Sequence, residues 1–450
     1  MQVNKLINNI RSKVTRQKGS LLKSGLFHFD IQEDGERSRV HLRVDPDGSG
    51  LLIVNANRVI HLNPTAVLMA FLILQNTTRE HVIKRLKKVY AVTTDQAIHD
   101  YTQIAEQLQE LIKPDGACPI HDLDLEITPP FNTKPSAPYR MDLAVTYRCN
   151  NDCSHCYNAR SRDYPELSTK DWYQILDQLW EIGIPHVVFT GGEPTLRQDL
   201  PELIAHAEQN GQITGINSNG RRLSDSRYTE NLVRAGLDHV QITLESANPD
   251  IHDVMVNTRG AWKQTVAGIR NTLETSLYVM TNTTMLSSNC TTLAETLEFL
   301  ASTGVPTVGL NALIYSGRGL SVNTGLLESD LPPLLNLARE LTSKNYQRLI
   351  WYTPTQYCNF DPMQLELGVK GCTAAMYNMC IEPNGDVIPC QSYYQALGNF
   401  LTTPWTRIWN HELSIHLRER KGIPERCSAC ALVKECGGGC PLEMKTKGII

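Results

Sequence analysis

The stretch Met141-Asp-Leu-Ala-Val-Thr-Tyr-Arg-Cys149-Asn-Asn-Asp-Cys153-Ser-His-Cys156 decides how the chain is read. A short apolar run, Asp142 to Thr146, has the character of a strand and leads directly into a C-x3-C-x2-C run. Three thiolates so close together can wrap one corner of a 4Fe-4S cluster, because soft sulfur suits iron, and they leave the fourth iron without a protein ligand. A structural zinc knuckle is the alternative for such a run, but no suitably spaced fourth ligand stands within it.

Outward from this point, strands and helices alternate. Strands are expected near Asp142 to Thr146, His186 to Thr190, Ile213 to Asn217, His239 to Thr243, Tyr278 to Thr283 and Thr307 to Leu313. Helices are expected near Thr169 to Trp180, Asp199 to Glu208, Asp225 to Ala235, Trp262 to Glu274, Thr292 to Ser302 and Asp330 to Leu341. The alternation implies an α/β fold, a partial (βα)6 TIM-type barrel with its chemistry at the carboxyl ends of the strands. At the second of those ends stands Thr190-Gly191-Gly192-Glu193-Pro194. Its adjacent glycines let the backbone approach a ligand closely, and its carboxylate can accept a hydrogen bond from an ammonium group.

Taken together, Cys149, Cys153 and Cys156, the aromatic His155 before the third cysteine, and Gly191-Gly192-Glu193-Pro194 resemble the radical S-adenosylmethionine (SAM) enzymes, over roughly Met141 to Thr342. The resemblance implies SAM as cofactor, its methionine amino and carboxylate groups chelating the open iron and an electron from the cluster releasing a 5'-deoxyadenosyl radical. It also implies that the GGEP turn receives the amino group. Asn217-Ser218-Asn219-Gly220 resembles the ribose-side turn of that family. Glu245, in Thr243-Leu244-Glu245-Ser246, stands where the family more often has Asp, and Arg318 resembles the arginine that meets the SAM carboxylate.

The C-terminal region is rich in Cys, Gly and Pro and is expected to fold around metal. Cys427-x2-Cys430-x5-Cys436-x3-Cys440, preceded by Cys372 and by Gly385-x4-Cys390, resembles the SPASM extension of radical SAM enzymes, which holds auxiliary 4Fe-4S clusters. By sulfur count alone the last four cysteines would also suit a zinc ribbon. The resemblance implies one cluster on Cys372, Cys380, Cys390 and Cys440, and a second on Cys427, Cys430 and Cys436. That second set is one ligand short, so a non-Cys ligand completes it, or its iron is open, or the sequence is truncated. Cys118 and Cys290 read as incidental thiols, as does Cys358, for which a ligand or a catalytic thiol is the alternative.

Residues from about Val40 to Ile112 read as a separate unit of three short strands and three helices, with Thr77-Thr78-Arg79-Glu80 as a capping box. This winged-helix-like α+β unit resembles PqqD-like domains, which recognise the leaders of ribosomally made precursor peptides, and a generic winged-helix adaptor is the alternative. A short sheet with an open edge can take a leader as an added strand. The domain plan is therefore a basic arm at 1–39, the peptide-recognition unit at 40–113, a Pro-rich linker at 114–138, the partial barrel at 139–345 and the auxiliary-cluster domain at 346–450.

Composition narrows the function classes. With 450 residues, 41% hydrophobic and 20% charged, the chain is neither disordered nor fibrous. A net charge of -4 argues against nucleic acid as partner, and the longest apolar run, Ala66 to Leu74, falls short of the roughly 20 residues that span a membrane. Thirteen cysteines without a signal peptide point to metal ligation in a reducing cytoplasm rather than to disulfides. The expected partners are a precursor peptide with its leader and a reducing electron donor such as flavodoxin or ferredoxin. Tetrapyrrole modification is a second enzyme reading, because Cys436-Gly-Gly-Gly-Cys440 resembles the ending of SPASM-type enzymes that act on heme precursors. A non-catalytic peptide-binding iron-sulfur scaffold is the third.

Overall fold

The structure, a computed structural model, describes residues 22–33, 36–55, 58–112 and 135–449. Cys118, the first 21 residues of the basic arm and most of the Pro-rich linker lie outside them. The chain divides into two compact units, Met1–Ser136 with Leu179–Pro185, and Ala137–Gln178 with His186–Ile450.

In the first unit β1 (Gly25–Glu33), β2 (Glu36–Val44), β3 (Gly50–Val54) and β4 (Arg58–Leu62) form an antiparallel sheet in chain order, followed by α1 (Pro64–Leu74), α2 (Arg79–Val89) and α3 (Thr94–Ile112). The sheet has four strands rather than the expected three, and residues 25–33, assigned above to the basic arm, are the additional one. The cause is legible afterwards, because Phe27, Phe29 and Ile31 alternate with polar residues and pack on the core of Val40, Leu42, Leu52, Val67 and Leu111. Asn63 caps α1 by accepting from Ala66 N at 2.9 Å, with Pro64 in the first turn. Thr78 precedes α2 without a side-chain cap bond, so the capping box read from the sequence does not close.

The second unit is built on one large sheet. Its strands β5 (Arg140–Thr146), β6 (His186–Gly191), β7 (Ile213–Ser218), β8 (His239–Thr243), β9 (Tyr278–Thr284) and β10 (Thr307–Asn311) are parallel neighbours in sequence order. Between and after them lie α4 (Thr169–Ile182), α5 (Leu200–Asn210), α6 (Ser226–Arg234), the short α7 (Pro249–Met255), α8 (Ala261–Leu273), α9 (Leu293–Thr303) and α10 (Leu331–Lys344). Buried Met141, Leu143, Val187, Phe189, Ile216 and Val240 make the strands apolar, as a sheet covered by crossover helices requires.

The sheet then continues beyond the six strands read from the sequence. At one flank β11 (Arg348–Trp351) joins β10 in parallel. At the other, β12 (Asn378–Ile381) lies parallel to β5 and is followed by antiparallel β13 (Asp386–Ile388) and β14 (Gly398–Asn399). The barrel is thus open, and the Cys-rich region grows directly from the edge that carries the Cys149 loop.

Candidate functional site

The loop after β5 is fastened by residues at the ends of β6, β7 and β10 and by an arginine of its own connection. Gly192 N donates to Thr146 O at 2.8 Å and Glu193 N to Arg148 O at 2.8 Å, docking the turn after β6 onto the residues that lead into Cys149. Only glycine permits this approach: Gly191 has φ +130° and a Cβ there would stand 2.0 Å from Thr146 O, while one on Gly192 would stand 2.4 Å from Arg148 O. Arg162 donates to Cys149 O at 3.0 Å and to Asn151 O at 2.6 Å. Arg221 donates to Asn150 O and, at 2.9 Å, to Asn151 Oδ1. Beyond β10, Arg318 N donates to Cys156 O at 2.9 Å and its guanidinium pairs with Asp152 at 2.9 Å.

These clamps bring the Cys149, Cys153 and Cys156 thiols together. Burial pushes Cys149 up to about 11, and the nearby Glu193 and Cys156 push the same way. Burial raises Cys153 further, with Cys156, Glu245 and Cys149 adding to it. Among the described residues no three His, Cys, Asp or Glu side chains converge on a single-ion site. The donor set fits a cluster of several irons: three soft sulfurs stand on one loop, and buried His155 Nδ1 between the second and third is left without a protein partner. An iron-sulfur cluster held by these three thiols would supply the electron that cleaves SAM.

The residues expected around SAM differ in how far they are engaged inside the protein. The Glu193 carboxylate is fully engaged inside the protein: Oε1 accepts from Thr195 N at 3.1 Å, Thr195 Oγ1 at 2.6 Å and Ser218 Oγ at 2.9 Å, and Oε2 accepts from Asn219 N at 2.7 Å. Burial raises its pKa while these donors oppose the rise. Glu193 therefore ties the GGEP turn, with Pro194 opening a single 3-10 turn, to the turn after β7. Asn219 Nδ2 reaches Asn150 Oδ1 at 2.6 Å, and Asn217 lies in β7 opposite Gln241 of β8. Buried Glu245 accepts from His155 at 2.9 Å and from Thr284 N at 2.9 Å. Arg318 keeps about half of its side chain exposed while bridging to Asp152.

The sequence reading missed the residues that lock this loop to the Cys-rich region. Arg160 grips the buried Glu382, just after β12, with two bonds of 2.7 and 2.8 Å, and Tyr147 OH donates to the same carboxylate at 3.2 Å. Tyr157 OH donates to Gln391 Oε1 at 3.0 Å, and Tyr394 OH to Asn158 Oδ1 at 3.3 Å. Each bond spans more than 220 residues of chain, so no local pattern reveals it.

Among the C-terminal thiols, Cys372, Cys390 and Cys440 are mutual neighbours. Burial pushes Cys440 up to about 12, with Cys390 adding to it, and it raises Cys372, with Cys440 and Cys390 adding to it. Cys380 adjoins Cys390, but its side chain is packed with Ala144, Tyr147 and Ile388 in an apolar core. Cys427 and Cys430 occupy consecutive turns, Cys430 N donating to Cys427 O at 3.1 Å, and Cys436 ends the short helix Val433–Cys436. Cys290 stands apart after β9, with a weak contact to Ser287 O at 3.8 Å.

Residues 143–300 match the family model for the Radical SAM superfamily, and residues 372–431 that for SPASM, an iron-sulfur cluster-binding domain. Fe-coproporphyrin III synthase of Methanosarcina barkeri (strain Fusaro / DSM 804) is 27% identical over 328 residues, which cover 65% of this chain and 81% of that protein. In fold, the chain is similar to Streptococcus suis SuiB bound to S-adenosylmethionine, with a TM-score of 0.69 and 18% identity over 92% of this chain and 96% of that one. The structure of SuiB bound to its precursor peptide SuiA gives a TM-score of 0.67 and 17% identity, covering 93% of this chain and 97% of that one. The chain carries a radical SAM domain followed by a SPASM iron-sulfur domain, and it is an enzyme whose cofactors are SAM and 4Fe-4S clusters.

Proposed function

We propose that this enzyme modifies a ribosomally made precursor peptide by abstracting a hydrogen atom from its core, giving a crosslink, a thioether or an oxidised residue. The observation that carries the reading is the N-terminal unit. A four-stranded sheet whose end strands β1 and β4 each pair on one side among the described residues precedes three helices. Such a sheet edge takes an extended leader through backbone hydrogen bonds, without demanding one exact sequence. A fold likeness that covers 93% of this chain, to a protein solved with its precursor peptide, supports the same reading.

In this scheme the leader docks on the PqqD-like unit, and Cys149, Cys153 and Cys156 hold the SAM-cleaving cluster. Residues of the turns after β6 and β7, namely Gly191 to Pro194 and Asn217 to Asn219, line the SAM side with His155, Glu245 and Arg318. Cys372, Cys380, Cys390 and Cys440 serve the first auxiliary cluster, and Cys427, Cys430 and Cys436 the second. A flavodoxin or ferredoxin supplies the electron, and the reaction belongs in the cytoplasm. Among the described residues no helix is long and apolar enough to cross a membrane.

The test uses a candidate precursor encoded beside the gene. Binding of its labelled leader should weaken at least tenfold in Val59→Pro or His61→Pro variants of edge strand β4, where proline removes a backbone donor. Unchanged affinity in these variants and in β1 counterparts would place recognition elsewhere. Tetrapyrrole modification remains a second reading because a relative 27% identical is a porphyrin-producing synthase. Conversion of an added iron porphyrin, with no peptide required, would favour it.

A further inference from the structure

We propose that Cys358 completes the second auxiliary iron-sulfur site, as a fourth thiolate beside Cys427, Cys430 and Cys436. The inference rests on reading those three cysteines as a cluster site, and it assigns the ligand that the C-terminal motif lacks. Cys358 lies outside residues 372–431, the segment that matches the SPASM model.

The segment Thr355 to Asn359 is fastened onto the Cys436 side chain. Tyr357 N donates to Cys436 Sγ at 3.4 Å, and the Cys436 thiol donates to Thr355 O at 3.5 Å. Gln356 Oε1 accepts from Arg426, the residue before Cys427, at 3.1 Å. On the other side Gln356 presses on Gly439, where a Cβ would stand 2.7 Å from Gln356 Cγ. Gly437, Gly438 and Gly439 all have positive φ, which lets the chain between Cys436 and Cys440 pass beneath this segment. Asn359 N closes the turn onto Gln356 O at 2.9 Å, and Asn359 Nδ2 binds Glu328. Cys358 is thereby held next to Cys436 from both sides.

The Cys358 thiol is exposed and, among the described residues, makes only a 4.0 Å contact with Asn359 Oδ1, so it is available to a ligand. A 4Fe-4S cluster takes one thiolate for each of its irons, so four cysteines close the site. Coordination breaks the Cys358 S–H bond, forms one Fe–S bond and releases the proton to solvent, with no change in oxidation state.

Reconstituted full-length wild type, Cys358→Ala and Cys436→Ala proteins provide the test, with iron and sulfide content, Mössbauer spectra and iodoacetamide labelling followed by mass spectrometry as readouts. In wild type, loading with iron and sulfide should protect Cys358 from alkylation at least tenfold relative to the unloaded protein. Both variants should lose a cluster of about four irons, or retain one with a spectroscopically distinct iron. If Cys436→Ala changes the spectrum while Cys358→Ala matches wild type and Cys358 stays alkylated in the loaded protein, the assignment of Cys358 is overturned and the cluster reading stands. If Cys436→Ala itself leaves iron content and spectrum unchanged, the reading of this site as a cluster fails, and the role of Cys358 fails with it.

Discussion

His155 Nε2 lies 2.9 Å from Glu245 Oε1, and both side chains are buried. The pair joins the Cys149 loop after β5 to the end of β8, three strands away across the sheet. Glu245 was read from the sequence as a possible SAM contact in place of the commoner Asp. Its side chain reaches His155, between Cys153 and Cys156, while its second oxygen accepts from Thr284 N.

Glu245→Ala should therefore destabilise the unloaded protein, because it orphans two buried groups, each worth roughly 1–3 kcal/mol when left unsatisfied. Glu245→Gln should recover most of that loss, since its amide can serve both partners. Thermal unfolding of the three proteins measures the difference, and equal stability for all of them would remove the pair from the loop's support.

A second joint lies between Arg160 and Glu382, where the Cys149 loop meets the hairpin of β12 and β13. Glu382 is fully buried and Arg160 is partly exposed. Removal of the arginine leaves a buried carboxylate with Tyr147 OH as its remaining side-chain donor, so Arg160→Ala should cost roughly 3 kcal/mol, the low end of the range for a broken buried pair. Urea unfolding of Arg160→Ala and Arg160→Lys tests this, and lysine should restore only part of the loss because it cannot make the two-pronged contact.

At the amino-terminal ends of β6 and β8, His186 and His239 face each other with Nε2 atoms 2.8 Å apart. Burial, helped by Arg140, lowers His239 from 6.5 to about 4. The unfolded chain then takes up a proton that the folded chain refuses. Stability is present above pH 6.5 and is lost as the pH falls towards 4, by up to about 3 kcal/mol. The acid limb of a pH–stability curve should flatten between those values in His239→Gln, and an unchanged limb would show that other groups govern acid unfolding.

The alternation from β5 to β10 was legible because each strand is a short apolar run flanked by turn residues, and the cysteine spacings announced the metal chemistry. Two kinds of feature were not legible. Strand β1 was hidden because it directly follows the basic run that ends at Lys23, although Phe27, Phe29 and Ile31 carry the strand period. Strands β11 and β12 are four residues each, too short for a period to register, and exist by pairing with β10 and β5. The side chains that clamp the Cys149 loop, Arg162 from later in the same connection and Arg221 from beyond β7, are ordinary polar residues whose roles arise from contacts made only in the fold. Glu193 shows the converse: its motif was visible, but its carboxylate points into the protein and fastens two turns together.

The central claim is that the cluster held by Cys149, Cys153 and Cys156 cleaves SAM, and the direct measurement is 5'-deoxyadenosine formed by reconstituted, chemically reduced protein. Wild type should release it in the presence of SAM. The triple Cys→Ala variant, still loaded at its C-terminal sites, should release at least a hundredfold less. Formation of 5'-deoxyadenosine at the wild-type rate by the triple variant would contradict the claim.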